Sequence, residues 1–125
     1  MKILIRNLKS VQLTIILAFI CFLSLGGCSK YSKEIQANLT KLKKTKACSG
    51  CDLSGIELMS FDLKGADLSG ANLTGANLRR SDLTGANLTD TNLSDADLLG
   101  ANLTGATLIN TNLTGVKLSY SNING

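Results

Sequence analysis

A leucine stands at every fifth position of this chain from Leu53 to Leu118, and Ile123 continues the series. The residue two positions before the leucine is usually Ala, and the residue directly before it is Asp or Asn almost throughout. Gly stands two positions after the leucine in nine of the fifteen units. The hydrophobic pattern is therefore a five-residue repeat without a single insertion.

A period of five fits neither regular secondary structure. Side chains alternate along a flat strand, so residues five apart point to opposite faces. In an α-helix, residues five apart are separated by about 140° around the axis, so no continuous apolar stripe forms. All the leucines can share one interior only if the chain turns once in each unit, and Gly supplies the backbone freedom for that turn. The pattern predicts a β-solenoid in which stacked coils pair their backbones as parallel strands do.

The repeat unit resembles that of the pentapeptide-repeat family. Residues 66–70 read Ala-Asp-Leu-Ser-Gly, and units of this kind cover the whole chain after residue 50. The resemblance implies an all-β fold, a right-handed quadrilateral β-helix with four units in each coil. We assign residues 48–125 to this solenoid, which then has somewhat under four coils.

One side of the expected coil departs from the repeat. With four units per coil, Leu58, Leu78, Leu98 and Leu118 share a side. Around them stand larger or charged residues where the other sides carry Ser, Thr and Gly. These residues are Met59, Arg79, Arg80, Leu99, Lys117 and Tyr120. We interpret them as candidate partner-binding residues, with sequence drift on a tolerant surface as the alternative.

The two ends of the expected rod also differ from its middle. Cys51, Ile56 and Phe61 occupy the small-residue position in the first coil, and such bulky residues suit a tip. The last coil offers an apolar edge. Its apolar residues are Leu108, Leu113, Leu118 and Ile123. Because exposed edges favour pairing, a homodimer through the C-terminal coil is one hypothesis.

The first 27 residues have the pattern of an export signal. Lys2, Arg6 and Lys9 precede an apolar run over residues 11–25, which is too short to span a bilayer comfortably. The run ends in Leu-Gly-Gly-Cys, which resembles the lipobox of bacterial lipoproteins. This resemblance implies that residues 1–27 are a signal peptide and that lipid on Cys28 holds the exported protein to a membrane of the bacterial cell envelope. An ordinary secretory signal and an uncleaved anchor are the alternatives, and the membrane is left open.

Residues 28–47 predict a linker with a short helix. Ile35, Leu39 and Leu42 follow the i, i+4, i+7 spacing of one helix face, and Ser32 suits the N-cap. A solenoid exposes apolar surface and unpaired backbone at its ends, so we expect this helix to cap the rod. The lysines of residues 41–46 allow two further interpretations, contact with anionic lipid or a solvated helix face.

The net charge of +4 combines segments of opposite sign. Between Cys28 and Ala47, six Lys stand against one Glu. From Cys51 onward, four basic residues stand against eight acidic ones, which gives 4 − 8 = −4. The expected rod is therefore mildly acidic, and the basic character lies in the segment before it.

Cys48 and Cys51 form a Cys-x-x-Cys motif whose register directs both side chains inward. Three interpretations remain open: small buried hydrophobes, a disulfide favoured by export, and a redox or metal role. The last is the weakest, because the chain has no His to complete a metal site.

The sequence lacks the usual elements of an enzyme, having no His and no Gly-rich phosphate loop. We therefore expect no catalysis, cofactor or metal, and predict an envelope-anchored binding or scaffold module that presents the solenoid to an unknown protein partner. Some pentapeptide-repeat proteins mimic DNA and bind topoisomerases, which gives one alternative. Export and the modest charge argue against it, and we expect no nucleic-acid partner. A redox protein using Cys48 and Cys51 is the other alternative.

Overall fold

The computed structural model describes residues 30–125. The chain divides into two compact units, Met1–Lys33 and Glu34–Gly125. The predicted signal peptide (residues 1–27) and the candidate lipidation residue Cys28 lie outside the described residues. Within residues 30–125, every helix is too short or too polar to cross a membrane.

Helix α1 spans Lys33–Thr45, which confirms the helix predicted in this segment. Ile35 and Leu42 on its apolar face are buried. Glu34 in the first turn and the lysines of the last turn have the charges that the helix dipole favours at each end. Lys46 follows the helix with a positive φ of 53°, a conformation common just after a helix C-terminus.

From Ala47 onward the chain winds into coils of twenty residues. Twelve parallel β-bridges join residues twenty apart, from Ala47–Asp67 to Asn102–Asn122. They form four ladders, so each coil has four sides and each side uses one five-residue unit. The ladders begin at Ala47, Asp52, Glu57 and Asp62, and we number the sides 1 to 4 in that order. The β-structure of the described residues consists of these single-residue bridges.

Each ladder uses the same pair of backbone hydrogen bonds. On side 3, the Leu58 N–H donates to the Asn77 carbonyl oxygen and the Asn77 N–H donates to the Ile56 carbonyl oxygen, both at 2.8 Å. The same two bonds recur from coil to coil as the chain rises. The coils are therefore held together by parallel pairing, as the repeat predicts.

A β-turn forms each corner between two sides. The carbonyl oxygen of each leucine accepts the N–H three residues on, as in Ala66 to Leu63 at 3.0 Å. The third residue of the turn has a positive φ at every corner from Gly50 to Tyr120, which is the pattern of a type II turn. Gly fits this position because it has no Cβ to clash.

The Asp or Asn before each leucine completes the turn with its side chain. Asp67 Oδ1 accepts the backbone N–H of Ser69 at 3.1 Å, and Asn92 Oδ1 accepts that of Ser94 at 3.1 Å. Among the described residues these N–H groups have no backbone partner, so the side chain satisfies them. The Ser69 hydroxyl also donates to Asp67 Oδ1 at 2.7 Å, and this hydrogen bonding lowers the pKa of the Asp67 carboxyl. The repeated Asp and Asn are therefore part of the turn.

Leucine side chains fill the interior of the rod. Every leucine of the repeat from Leu53 to Leu98 is at most 1% exposed. Ser81 and Thr91 replace Ala in the interior, and their hydroxyls donate to the carbonyl oxygens of Leu78 and Leu68, at 2.6 and 2.8 Å. Within residues 30–125, no buried side-chain N or O atom lacks a hydrogen-bond partner.

The last coil is more open than the others. Leu113 is 38% exposed and Ile123 is 61% exposed. In earlier coils the leucine N–H donates to the next coil, but four equivalent N–H groups here have no partner among the described residues. These belong to Leu108, Leu113, Leu118 and Ile123.

We expect Leu83→Ala to lower the free energy of unfolding by about 2–5 kcal/mol, because Leu83 is fully buried between stacked coils and its removal leaves a cavity. Urea denaturation measures this loss. Leu113→Ala is the matched control, since it removes the same atoms from a partly exposed site, and we expect a clearly smaller loss. Equal losses for the two variants would contradict the interior described here.

Candidate interaction surface

The six sequence-predicted residues lie on side 3 and at the corner that follows it. Side 3 is the ladder Glu57, Asn77, Asp97 and Lys117. The two residues that follow the leucine of each unit on this side form two further columns, which we call corner 3. Corner 3 consists of Met59, Ser60, Arg79, Arg80, Leu99, Gly100, Ser119 and Tyr120. The coil of twenty residues thus brings together positions that are as much as 61 residues apart in sequence.

Corner 3 exposes large side chains to solvent. Met59 is 59% exposed and Tyr120 is 90% exposed, and Arg80 is also exposed. Arg79 and Leu99 are half-buried. Apolar, cationic, apolar and aromatic side chains therefore follow one another from coil to coil at this corner.

The two arginines of corner 3 differ in their electrostatic environment. Arg79 Nη1 lies 3.3 Å from Asp97 Oδ2 on side 3. The Arg80 guanidinium has no ion-pair or hydrogen-bond partner among the described residues. Its Cγ lies 3.6 Å from the position that a Cβ on Gly100 would occupy, so the stem of Arg80 runs over this glycine. Arg80 therefore offers an unpaired cation on a rod that is acidic overall.

Corner 3 also contains the least favourable backbone conformations of the rod. Six corner residues other than Gly have a positive φ. Asp90, Asp95 and Asn110 belong to residue types that tolerate this conformation. The other three are Ser60 (φ 57°), Arg80 (φ 56°) and Tyr120 (φ 60°), and all three stand in one column of corner 3.

Ser60 is absent from the residues that the sequence predicted for this surface. The signal was available, because Ser60 stands where Gly is the commonest residue of the repeat. Its meaning depends on the turn conformation, which shows that this position requires a positive φ. Ser60 therefore belongs with Arg80 and Tyr120.

Cys48 and Cys51 are bonded as a disulfide in the structure. The bond crosses the first turn of the rod, where the Cys51 N–H donates to the Cys48 carbonyl oxygen at 3.1 Å. Cys48 is fully buried and Cys51 is 7% exposed, in keeping with the inward register. Residues 30–125 contain no group of three or more His, Cys, Asp or Glu that could hold a metal ion.

Helix α1 and Lys46, the residue that follows it, contact the first coil through polar and charged groups. Asn38 Nδ2 donates to the Asp52 carbonyl oxygen at 2.9 Å. Lys46 Nζ lies 2.8 Å from Asp62 Oδ2, and this contact is the largest cause of the lowered pKa of the Asp62 carboxyl. Lys43 Nζ lies 5.8 Å from the ring centroid of Phe61, within cation–π range.

Comparison with protein families and solved structures identifies the repeat. The family model described as pentapeptide repeats matches residues 47–80, 62–100 and 81–119. A pentapeptide repeat protein from Nostoc is 34% identical, with a TM-score of 0.64 over 69% of this chain and 72% of that protein. A comparison with curated proteins gives no significant match.

Two further structures are similar at lower TM-scores. A pentapeptide repeat protein of the Arabidopsis thaliana thylakoid lumen is 30% identical, with a TM-score of 0.28 over 79% of this chain and 71% of that protein. QnrB1, a plasmid-mediated fluoroquinolone resistance protein, is 22% identical, with a TM-score of 0.37 over 62% of this chain and 48% of that protein.

The family match covers more than half of the chain, and the Nostoc structure has the same coiled architecture. The family match and the similarity to the Nostoc structure imply a right-handed quadrilateral β-helix. The chain belongs to the pentapeptide-repeat family.

Proposed function

We propose that this chain is a non-enzymatic interaction module of the bacterial cell envelope, which presents corner 3 and side 3 of its rod to a protein partner. The observation that carries the proposal is the concentration of exposed Met59, Arg80 and Tyr120 at a single corner. Elsewhere the corners carry mostly the small and polar residues of the repeat. Exposed aromatic, Met and Arg side chains are the types enriched at protein interfaces.

The proposed anchor is lipid on Cys28. The Leu-Gly-Gly-Cys sequence at residues 25–28 and the basic and apolar segments before it support this step. Several acyl chains on one residue would give stable membrane attachment, whereas one chain alone gives marginal binding. The rod would then act at the membrane surface.

We further propose that α1 caps the N-terminal edge of the rod. In later coils, the carbonyl oxygen at the Asp52 position accepts a leucine N–H from the preceding coil, as Asn72 does from Leu53 at 2.8 Å. No preceding coil covers Asp52 in residues 30–125, and Asn38 Nδ2 takes the place of that donor. The cation–π contact of Lys43 with Phe61 supports the same arrangement at a second side of the coil. A capped edge is protected from pairing with other strands.

The two alternative functions have weaker support. A DNA mimic needs a strongly acidic surface, whereas side 3 and corner 3 carry Arg79, Arg80 and Lys117. A redox function needs accessible sulfur, but Cys48 and Cys51 are buried. We therefore prefer a structural role for the disulfide, as a link across the first turn.

The open C-terminal coil supports a second proposal, a homodimer in which two last coils pair. Its exposed Leu113 and Ile123 and its unpaired N–H groups would be covered by a second copy. Pairing of edges is the usual result when strand backbone and apolar surface are exposed together.

We expect Cys28→Ser to abolish incorporation of labelled fatty acid and to release the protein from the membrane fraction. The reason is that the thiol of Cys28 is the proposed attachment point. Cys21→Ser is the matched control, since it removes a thiol from the same segment and should leave labelling unchanged. Labelling that persists in Cys28→Ser would contradict the proposed anchor.

A photo-crosslinking amino acid at Tyr120 should capture a discrete protein in the native envelope. The same amino acid at Asn110, which has a similar φ at another corner of the last coil, should capture far less of that protein. Denaturing electrophoresis of the crosslinked envelope measures both yields. Equal capture at the two corners would contradict a partner-binding role for corner 3.

We expect Ile123→Asp to convert a dimer into a monomer, because it places a charge in the proposed apolar interface. Light scattering on the purified full chain measures the molar mass. Asn124→Asp adds the same charge at the same end without removing apolar surface, and we expect it to remain dimeric. A wild-type chain that is monomeric at high concentration would contradict the dimer.

A further inference from the structure

We propose that the partner binds corner 3 as an amphipathic α-helix, laid along the rod axis with a carboxylate against Arg80. This inference rests on the proposed function, because it names the class of partner for the same surface. Three observations support it: the backbone strain at this corner, the unpaired charge of Arg80, and the spacing of the coils.

The backbone strain indicates that Gly would suit the fold better than the residues now in this column of corner 3. Ser60, Arg80 and Tyr120 adopt a conformation that Gly adopts more readily, and Gly is the commonest residue at this position of the repeat. Unfavourable backbone conformations of this kind are concentrated at functional sites. The column that combines them with exposed side chains is therefore where a partner is expected to dock.

The unpaired charge of Arg80, which lies in the second coil, indicates the charge of the partner residue opposite it. Asp97 partly neutralises Arg79, but the Arg80 guanidinium has no such partner among the described residues. A guanidinium binds a carboxylate through two parallel hydrogen bonds, which gives orientation as well as attraction. An acidic side chain of the partner would complete this pair.

The spacing indicates the conformation of the partner. Coils of a β-helix are stacked about 4.8 Å apart, so Met59, Arg80, Leu99 and Tyr120 present one group at each step of about 4.8 Å. Successive turns of an α-helix are about 5.4 Å apart, whereas same-face residues of a strand are about 6.6–6.8 Å apart. Over three steps a helix stays near register with the corner and a strand does not. The matching sequence is apolar, acidic, apolar, apolar at positions i, i+4, i+7 and i+11 of the partner helix.

The test uses the purified full chain and a fluorescent synthetic peptide of about 20 residues, long enough to form a helix in an Ala-rich host. The peptide carries Leu at i, i+7 and i+11 and Glu at i+4. Two control peptides carry Lys at i+4, or Pro in the middle of the helix. Fluorescence anisotropy should show binding of the Glu peptide and at least about tenfold weaker binding of both controls. The Lys peptide loses a charged hydrogen bond, and the Pro peptide pays the cost of Pro in a helix interior.

The matched protein variants are Arg80→Gly and Asp95→Gly. Both remove a non-Gly residue from a positive φ at a corner. Arg80→Gly should raise the Tm by a few degrees, and Asp95→Gly should change it less, because Asp tolerates this conformation better than Arg does. Only Arg80→Gly should weaken the Glu peptide, by about tenfold or more. Because neither variant is expected to destabilise the rod, loss of folding does not confuse the result.

Each other outcome overturns a defined step. Equal binding of the Glu and Lys peptides, or full binding by Arg80→Gly, contradicts the acidic helix. An unchanged Tm for Arg80→Gly beside a raised Tm for Asp95→Gly contradicts the strain argument. If the crosslink at Tyr120 persists while no peptide binds, the helical partner is wrong and the interaction module stands. If neither the crosslink at Tyr120 nor peptide binding is observed, corner 3 is not an interaction surface.

Discussion

The structure depends on one constraint: leucines five residues apart can share an interior only if the backbone turns between each pair. Every corner meets this constraint in the same way, with a β-turn whose third residue has a positive φ. Four such turns close a coil and bring residues twenty apart into parallel pairing. The leucine core, the Asp or Asn side chains that complete each turn and the four ladders all follow from that arrangement.

The same constraint limits where the chain can carry function. The leucine and alanine positions are buried, and the Asp or Asn position is occupied with hydrogen bonds to its own turn. The residues most free to vary are the two at the centre of each turn. At most corners these are Ser, Thr, Gly, Asp or Asn, but corner 3 carries Met59, Arg80 and Tyr120. Arg80 and Tyr120 have bulky side chains in a conformation that disfavours them, and Met59 is exposed at the same corner, which is why we place the interface there.

Much of this fold could be predicted from the sequence, because a strict repeat makes local and long-range structure the same problem. The five-residue period indicated a turn in each unit, and the family resemblance supplied four units per coil, which put Arg79 and Leu99 on one side. The spacing of Ile35 and Leu42 indicated α1 in the same way. The contact of Asn38 with Asp52 could not be predicted, because it depends on how α1 docks on the first coil. The inward register of Cys48 and Cys51 was readable, but the bond between them was one of three possibilities. The significance of Ser60 required the φ angle of its turn.

The central claim is the coil of twenty residues, and paired cysteines test it most directly. Thr74 Oγ1 and Ser94 Oγ lie 3.3 Å apart on adjacent coils. Stacked positions about 4.8 Å apart are within the Cα separation that a disulfide requires. The account predicts that Thr74→Cys with Ser94→Cys forms a disulfide readily under mild oxidation, as mapped by mass spectrometry. Thr74→Cys with Thr89→Cys, which are fifteen residues apart and on different sides, should not. Comparable crosslinking of both pairs, or of the second pair alone, would contradict the coil.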